Sequence, residues 1–148
     1  MAAETIAVAA DHAGFELKET LKRDLEAAGY AVLDLGTHST ASVDYPDFGK
    51  ALADCIAAGR AARGVAVCGT GIGISIAVNR NPRLRAAVCH DASSTRLARE
   101  HNDANVLALG ARLIGVETAR DCLRSFLATP FAGGRHVNRV AKLATAST

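Results

Sequence analysis

The sequence predicts a three-layer α/β/α sandwich of Rossmann-like kind, with helices on both faces of a five-stranded parallel sheet. Three observations predict it. Short apolar runs rich in Val, Ile and Ala alternate strictly with segments of helical period, and the connections between them are short. The composition is 49% hydrophobic but only 4% aromatic, with no Trp, so the core must be built from Ala, Val, Leu and Ile, as suits stacked layers. At 148 residues the chain suits one domain, 1–148, large enough to bury a core without disulfides or metal.

Thr5 to Ala10 is the first apolar run. Gly14 to Ala28 then carries Leu17, Leu21 and Leu25 at four-residue spacing between charged residues, which makes an amphipathic helix. Gly29 ends it, and Tyr30 to Leu35 reads as a second strand. A polar loop from Thr37 to Asp44 leads to Pro46, placed in the first turn of a helix that ends near Gly59. Gly64 to Val67 form a third strand with Cys68 as its last residue. The glycine turn that follows opens a helix marked by Ile72 and Ile76. Leu84 to Cys89 reads as the fourth strand, Asp91 or a nearby Ser as the cap of a helix through Leu97 to His101, and Val106 to Leu109 as the fifth strand. Val116 to Leu127 is a fifth helix. After Gly133 and Gly134 a final helix runs from about 135 to 144, with Thr145 to Thr148 expected to fray.

The net charge of +2 with mixed signs argues against a nucleic-acid surface, which would cluster Lys and Arg with aromatics between them. Cys55, Cys68, Cys89 and Cys122 stand far apart with no C-x-x-C pair, so neither a zinc site nor a disulfide scaffold is indicated, and a reducing cytoplasm is the simple inference. The opening residues lack a basic flank and are broken by Glu4 and Asp11, unlike a signal peptide. No stretch reaches transmembrane length.

The richest chemistry lies in the segment from Gly64 to Asn79. Cys68 stands at a strand end, Gly69, Gly71 and Gly73 let the backbone turn tightly, and the next helix points its positive end at the same spot. This is an anion hole with a base or nucleophile at its lip, where a thiol gains thiolate character. The spacing matches neither the dinucleotide fingerprint nor a P-loop. The plainer reading makes Cys68 a small buried hydrophobe beside an ordinary βα turn.

Ligands of a parallel sheet bind at the carboxyl ends of its strands. Asp11 and His12 close strand one, the Cys68–Gly73 turn closes strand three and Arg112 follows strand five, so all three groups share an edge. Singly, Asp11 could be a helix cap and His12 a loop histidine. Arg135 and Arg139 stand four apart on the last helix with His136 beside them, able to grip a phosphate or to form a solvated face. His101-Asn102-Asp103 ends the fourth helix on the opposite edge, where Asn102 could be a left-handed C-cap. A strand of five or six residues separates the two edges by roughly 17 to 20 Å. One chain should not bring Cys68 and His101 together.

As an ordered set these motifs resemble the family of ribose-5-phosphate isomerase B and its allose-6-phosphate and galactose-6-phosphate relatives. The likeness runs nearly end to end. It rests on Asp11-His12, Asp44-Tyr45-Pro46, Cys68 to Gly73, His101-Asn102-Asp103 with Asn105-Val106-Leu107, Gly110-Ala111-Arg112, and Gly133-Gly134-Arg135-His136 with Arg139. The resemblance implies aldose–ketose isomerisation through a cis-enediolate without metal or nucleotide cofactor. Cys68 would be the proton acceptor, His101 the ring-opening proton donor, and Thr70 a further catalytic position within the turn. Asp11, His12, Gly69, Thr70, Gly71, Ile72, Gly73 and Asn102 would contact the sugar, with Arg112, Arg135 and Arg139 on the phosphate and substrate. One branch of the family carries a glutamate base at the position of Ile74, leaving Cys68 the only candidate base here. The chain departs from the family pattern in the loop Thr37 to Ser42 and in His90 to Thr95.

The expected function is therefore interconversion of ribose 5-phosphate and ribulose 5-phosphate by a homodimer, or a dimer of dimers, with composite sites. A six-carbon sugar-phosphate isomerase is the alternative within enzymes. A non-catalytic sugar-phosphate-binding module is the alternative outside them, although binding alone would need neither Cys68 nor His101.

Overall fold

Side chains of successive strand residues point to opposite faces, so a strand buried on both sides must be apolar throughout. The inner strands here obey that rule. The computed structural model describes residues 3–144, and the expected frayed tail at 145–148 lies outside the described residues. Along the chain run β1 (Thr5–Ala10), α1 (Phe15–Ala27), β2 (Ala31–Asp34), α2 (Tyr45–Ala57), β3 (Arg63–Cys68), α3 (Ile72–Val78), β4 (Ala86–Val88), α4 (Ala92–Asn102), β5 (Val106–Gly110), α5 (Val116–Ala128) and α6 (His136–Ala144). The five strands pair in parallel in the order β2-β1-β3-β5-β4, as the expected α/β/α sandwich requires. No helix among the described residues is long and apolar enough to cross a membrane.

Two cores follow from the alternation. Ile6, Val8, Val65, Val67, Leu107 and Leu109 face α1 and α5, meeting Leu21, Leu25, Cys122 and Phe126. Ala7, Ala9, Ala66 and Cys68 face α2 and α3, meeting Leu52, Ala53, Ile74 and Val78. The second face uses alanines, which lets α2 and α3 approach the sheet closely.

Element ends show where local chemistry differs from pattern. Pro46 sits in the first turn of α2, and Asp91 caps α4 by accepting from the Ser94 N–H at 2.6 Å. β4 is only three residues long against the six expected. The Asn79 side chain takes both backbone groups of Ala86, at 2.7 and 3.0 Å, on the edge of β4 away from β5, and the Asn105 side chain accepts from the Arg85 N–H at 2.7 Å. Ile72 and Ile76 are each 52% exposed, and α3 buries Ile74, Ser75 and Val78 instead.

Lys18 is the one large cationic side chain buried to 1% exposure on the described chain. Its ammonium lies 2.8 Å from both carboxylate oxygens of Asp34, at the end of β2, and 3.0 Å from Glu19. Asp34 also accepts from the Gly36 N–H at 2.9 Å and from Lys22 at 3.2 Å. Burial raises the acidity constant's pKa for the Asp34 carboxyl, but Lys18, the Gly36 N–H and Lys22 together outweigh it, and the carboxyl is held below its ordinary 3.8. A depressed carboxyl contributes stability above its unfolded value and loses it as pH falls through the folded one, so this node weakens only in strong acid.

Removing one partner of a buried pair costs more than replacing both. Asp34→Asn leaves the buried Lys18 charge with only the partly exposed Glu19 carboxylate at 3.0 Å and should destabilise the fold by about 3 kcal/mol. Lys18→Met should cost clearly less, because Asp34 keeps Lys22 and the Gly36 N–H. Urea unfolding at pH 7 measures both, and an equal or reversed order would contradict this account of the node.

Candidate active site

The order β2-β1-β3-β5-β4 sends the chain from β1 outward to β2 on one side and from β3 outward to β4 on the other. Between these departures the carboxyl ends of β1 and β3 open into a crevice, the place where a doubly wound sheet binds its ligands. Asp11 and His12 follow β1 directly, and Cys68 ends β3. The Asp11 N–H donates to the Val67 carbonyl at 3.2 Å, which sets the two strand ends side by side. The buried Asp11 carboxylate accepts from the Gly14 N–H at 3.1 Å.

The turn after β3 is shaped by close backbone approach. Gly71 has φ +77°, a conformation that costs an L side chain strain. Gly110, ending β5, lies so near that a Cβ there would stand 2.6 Å from the Thr70 carbonyl carbon, so any larger residue would force the turn away. The Ala111 N–H donates to the Cys68 carbonyl and the Arg112 N–H to the Gly69 carbonyl, each at 2.9 Å. That pairing carries the Arg112 guanidinium over Gly69, where its Nη1 would be 3.2 Å from an added Cβ. The Tyr45 ring covers Gly73 in the same way, at 2.6 Å from such a Cβ.

Two of the turn's N–H groups already have partners inside the site. Gly71 donates to Cys68 Sγ at 3.2 Å, and Ile72 donates to Thr70 Oγ1 at 3.2 Å. The first-turn N–H groups of a helix have no intrahelical acceptor, so those of Gly73 and Ile74 are the donors that α3 offers to an anion. Thr70 is exposed at the lip, whereas Cys68 is 4% exposed at its base. Ile74 is fully buried beneath the turn, so its side chain presents nothing to the crevice.

His101, Asn102, Arg135 and Arg139 gather elsewhere. α4 ends where β5 begins, level with Gly64 in β3, while Cys68 is level with Gly110 at the far end. The C-terminus of α4 is pinned by buried Arg99, which donates to Asp103 Oδ1 at 2.9 Å, to the Ala104 carbonyl at 2.8 Å and to the Thr129 carbonyl at 3.0 Å. Asp103, not Asn102, is the left-handed C-cap, with φ +47°. Asn102 stays helical and exposed, free for another role. Ala132 donates to the Glu100 carbonyl at 3.0 Å and brings the chain back so that α6 packs on α4.

His101, Asn102, His136 and Arg139 line one hollow there with Val140 and Leu143. Arg135 stands exposed at the residue before α6. His136, which pattern alone placed only beside the arginines, stacks on His101 with ring centroids 4.4 Å apart and planes 16° from parallel. Burial, then the neighbouring His101, Arg135 and Arg139, push the His136 imidazole below its ordinary value. Burial also pushes up the Cys55, Cys89 and Cys122 thiols, which makes three of the four cysteines inert structural groups. Tyr45 and His136 are the site residues that spacing missed. Only their neighbourhood in the ordered motifs, Asp44-Tyr45-Pro46 and Arg135-His136, could have marked them.

Comparison with known proteins gives the family. A family model described as ribose/galactose isomerase matches residues 6–143. The Escherichia coli protein named ribose-5-phosphate isomerase B is 43% identical over 135 residues, covering 91% of each chain. A Pectobacterium atrosepticum protein named D-erythrulose-4-phosphate isomerase is 41% identical over 140 residues, covering 94% of this chain and 92% of its own. The solved structure of Clostridium thermocellum ribose-5-phosphate isomerase B superposes with a TM-score of 0.94 at 48% identity, covering 95% of both chains. With matched sequence over almost its whole length and a matching fold, this chain belongs to the ribose/galactose isomerase family, a family of sugar-phosphate isomerases.

Proposed function

We propose that the chain interconverts ribose 5-phosphate and ribulose 5-phosphate, with Cys68 as the base and His101, supplied by a second copy, as the ring-opening acid. The observation that carries the reading is the separation just described. Asp11, His12 and Cys68 meet at one end of the sheet, and His101, His136 and Arg139 line a hollow at the other, with Arg135 exposed just before α6. A sugar phosphate needs both. An isologous dimer that sets each α4–α6 corner against the partner's crevice makes two complete sites from two half-sites. Ile72 and Ile76, exposed at the lip of the crevice, are the apolar surface such a partner would cover.

In that arrangement the partner subunit's His101 protonates the ring oxygen as its bond to C1 breaks, the anomeric hydroxyl gives up its proton to solvent as C1=O1 forms, and the open-chain aldehyde results. The Cys68 thiolate then takes the C2 proton, the C2–H electrons form the C1–C2 double bond of the enediolate, and the charge falls on O1. Fixed N–H donors at Gly73 and Ile74 meet that charge without reorganising. The O2 proton passes to O1, C2=O2 forms as the C1–C2 double bond breaks, and return of the proton from Cys68 to C1 gives the ketose. Asp11 and His12 hold sugar hydroxyls, and Arg112 with the partner's Arg135 and Arg139 fixes the phosphate end, so the reacting carbons stay over the sulfur.

The five-carbon substrate is favoured by the relatives named for it. A relative of nearly equal identity is named for a four-carbon sugar phosphate, and the family description includes galactose. Kinetics on ribose 5-phosphate beside erythrulose 4-phosphate, allose 6-phosphate and galactose 6-phosphate decides the substrate. The proposal requires the highest kcat/KM on the five-carbon sugar.

Cys68→Ser should keep the fold and most binding but lower kcat by about two orders of magnitude or more, since an alcohol replaces the thiol as base. Near-normal turnover would return Cys68 to the core. Arg139→Ala should weaken binding of phosphorylated sugars by about 1 to 3 kcal/mol and leave unphosphorylated ones unchanged. An unchanged preference for phosphorylated sugars would remove Arg139 from the phosphate. Mixing Cys68→Ser with His101→Ala protomers, each inactive alone, should restore one intact site per heterodimer and roughly a quarter of parental activity. If labelled subunits are seen to exchange and no activity returns, the shared site is wrong.

A further inference from the structure

The loop 37–44, which links β2 to α2, is tied into the crevice at both ends. At its base, Ala10 donates to the Gly36 carbonyl and Thr37 donates to the Ala10 carbonyl, both at 2.7 Å. Gly36 is itself held by Asp34, the partner of buried Lys18. At its far end come Asp44, the first residue before α2, and Tyr45, whose ring rests on Gly73 of the catalytic turn. Val43, between these anchors, donates its backbone N–H to His12 Nδ1 at 3.1 Å.

A ring nitrogen that accepts a hydrogen bond carries no proton, so a neutral imidazole in this contact must carry its proton on Nε2. We infer that Val43 is a positioning residue: its backbone N–H holds His12 in the Nε2–H tautomer, so that His12 meets the substrate as a hydrogen-bond donor and not as a base. The inference rests on the reading that His12 touches the sugar phosphate. It gives the loop a role that does not depend on its side chains. What the site needs from this loop is one peptide N–H at one place, which many loop sequences can supply provided both anchors hold. It also keeps the division of labour clean, because a second base beside Cys68 would compete for the same substrate protons.

Nitrogen-15 NMR of the intact protein labelled at histidine reads the tautomer directly, with His12 assigned by its loss in His12→Gln. The expected result is an unprotonated Nδ1 and a protonated Nε2. Val43→Pro, which deletes the N–H, should shift the ring toward a mixture of tautomers and lower kcat/KM. Val43→Ala, which keeps it, should leave both unchanged. Glutamine can place an amide N–H where Nε2 stands, and asparagine only where Nδ1 stands, so His12→Gln should exceed His12→Asn in kcat/KM by about tenfold. An Nδ1–H tautomer in the parent, or His12→Asn matching His12→Gln, overturns the inference even if Val43→Pro fails to fold. Parental activity in His12→Ala would instead overturn the reading that His12 touches substrate, while leaving the tautomer signals in place.

Discussion

Because β2 lies outside β1 and β4 lies at the far edge beyond β5, the chain must leave β1 toward one side of the sheet and β3 toward the other. Crossovers between parallel strands are right-handed, so opposite directions of travel put the connecting helices on opposite faces. α1 packs with α5 on one core and α2 with α3 on the other. No helix then roofs the carboxyl ends of β1 and β3, and whatever residues follow those two strands face a common opening. Asp11, His12 and Cys68 owe their meeting to this divergence more than to any contact among themselves.

The same topology that gathers Asp11, His12 and Cys68 keeps His101 away from them. α4 returns to start β5, so its last residues are delivered to the amino ends of the strands, where Arg99 and the left-handed Asp103 hold them. No adjustment of side chains carries His101 along the length of β5 to the sulfur. The composite site proposed above would resolve this by tying activity to association, so that dilution would remove catalysis before it unfolded the monomer. It also explains why exposed Ile72 and Ile76 are tolerable beside a polar crevice. In an assembled pair they would be interior residues.

Alternation of apolar and amphipathic segments made the sandwich legible in the sequence, and the glycine turn after Val67 announced the site, because both signals are local. Strand order was not legible: it depends on which edges pair, and the apolar runs look alike. β4 is shorter than its apolar run, with Leu84 and Cys89 buried in the core but outside the three-residue strand. Ile72 and Ile76 have the spacing of a buried stripe, but the tight turn at Gly71 rotates α3 so that Ile74 and Val78 face the sheet. The stack of His136 on His101 joins residues from separate helices, which no spacing rule reaches.

The Lys18–Asp34 node shows how the stable part of the molecule bears on the reactive part. A buried ion pair is a poor source of net stability, since desolvation offsets most of its attraction, and an apolar pair could fill the same space. What an apolar pair could not do is present an acceptor to the Gly36 N–H at 2.9 Å. That hydrogen bond holds the Leu35–Gly36 peptide, and the carbonyl of the next peptide, that of Gly36, accepts from Ala10, one residue before Asp11. A carboxylate fixed by Lys18 thus sets the backbone from which Asp11 and His12 project, and the retained charge is better understood as a positional device than as a stabilising one.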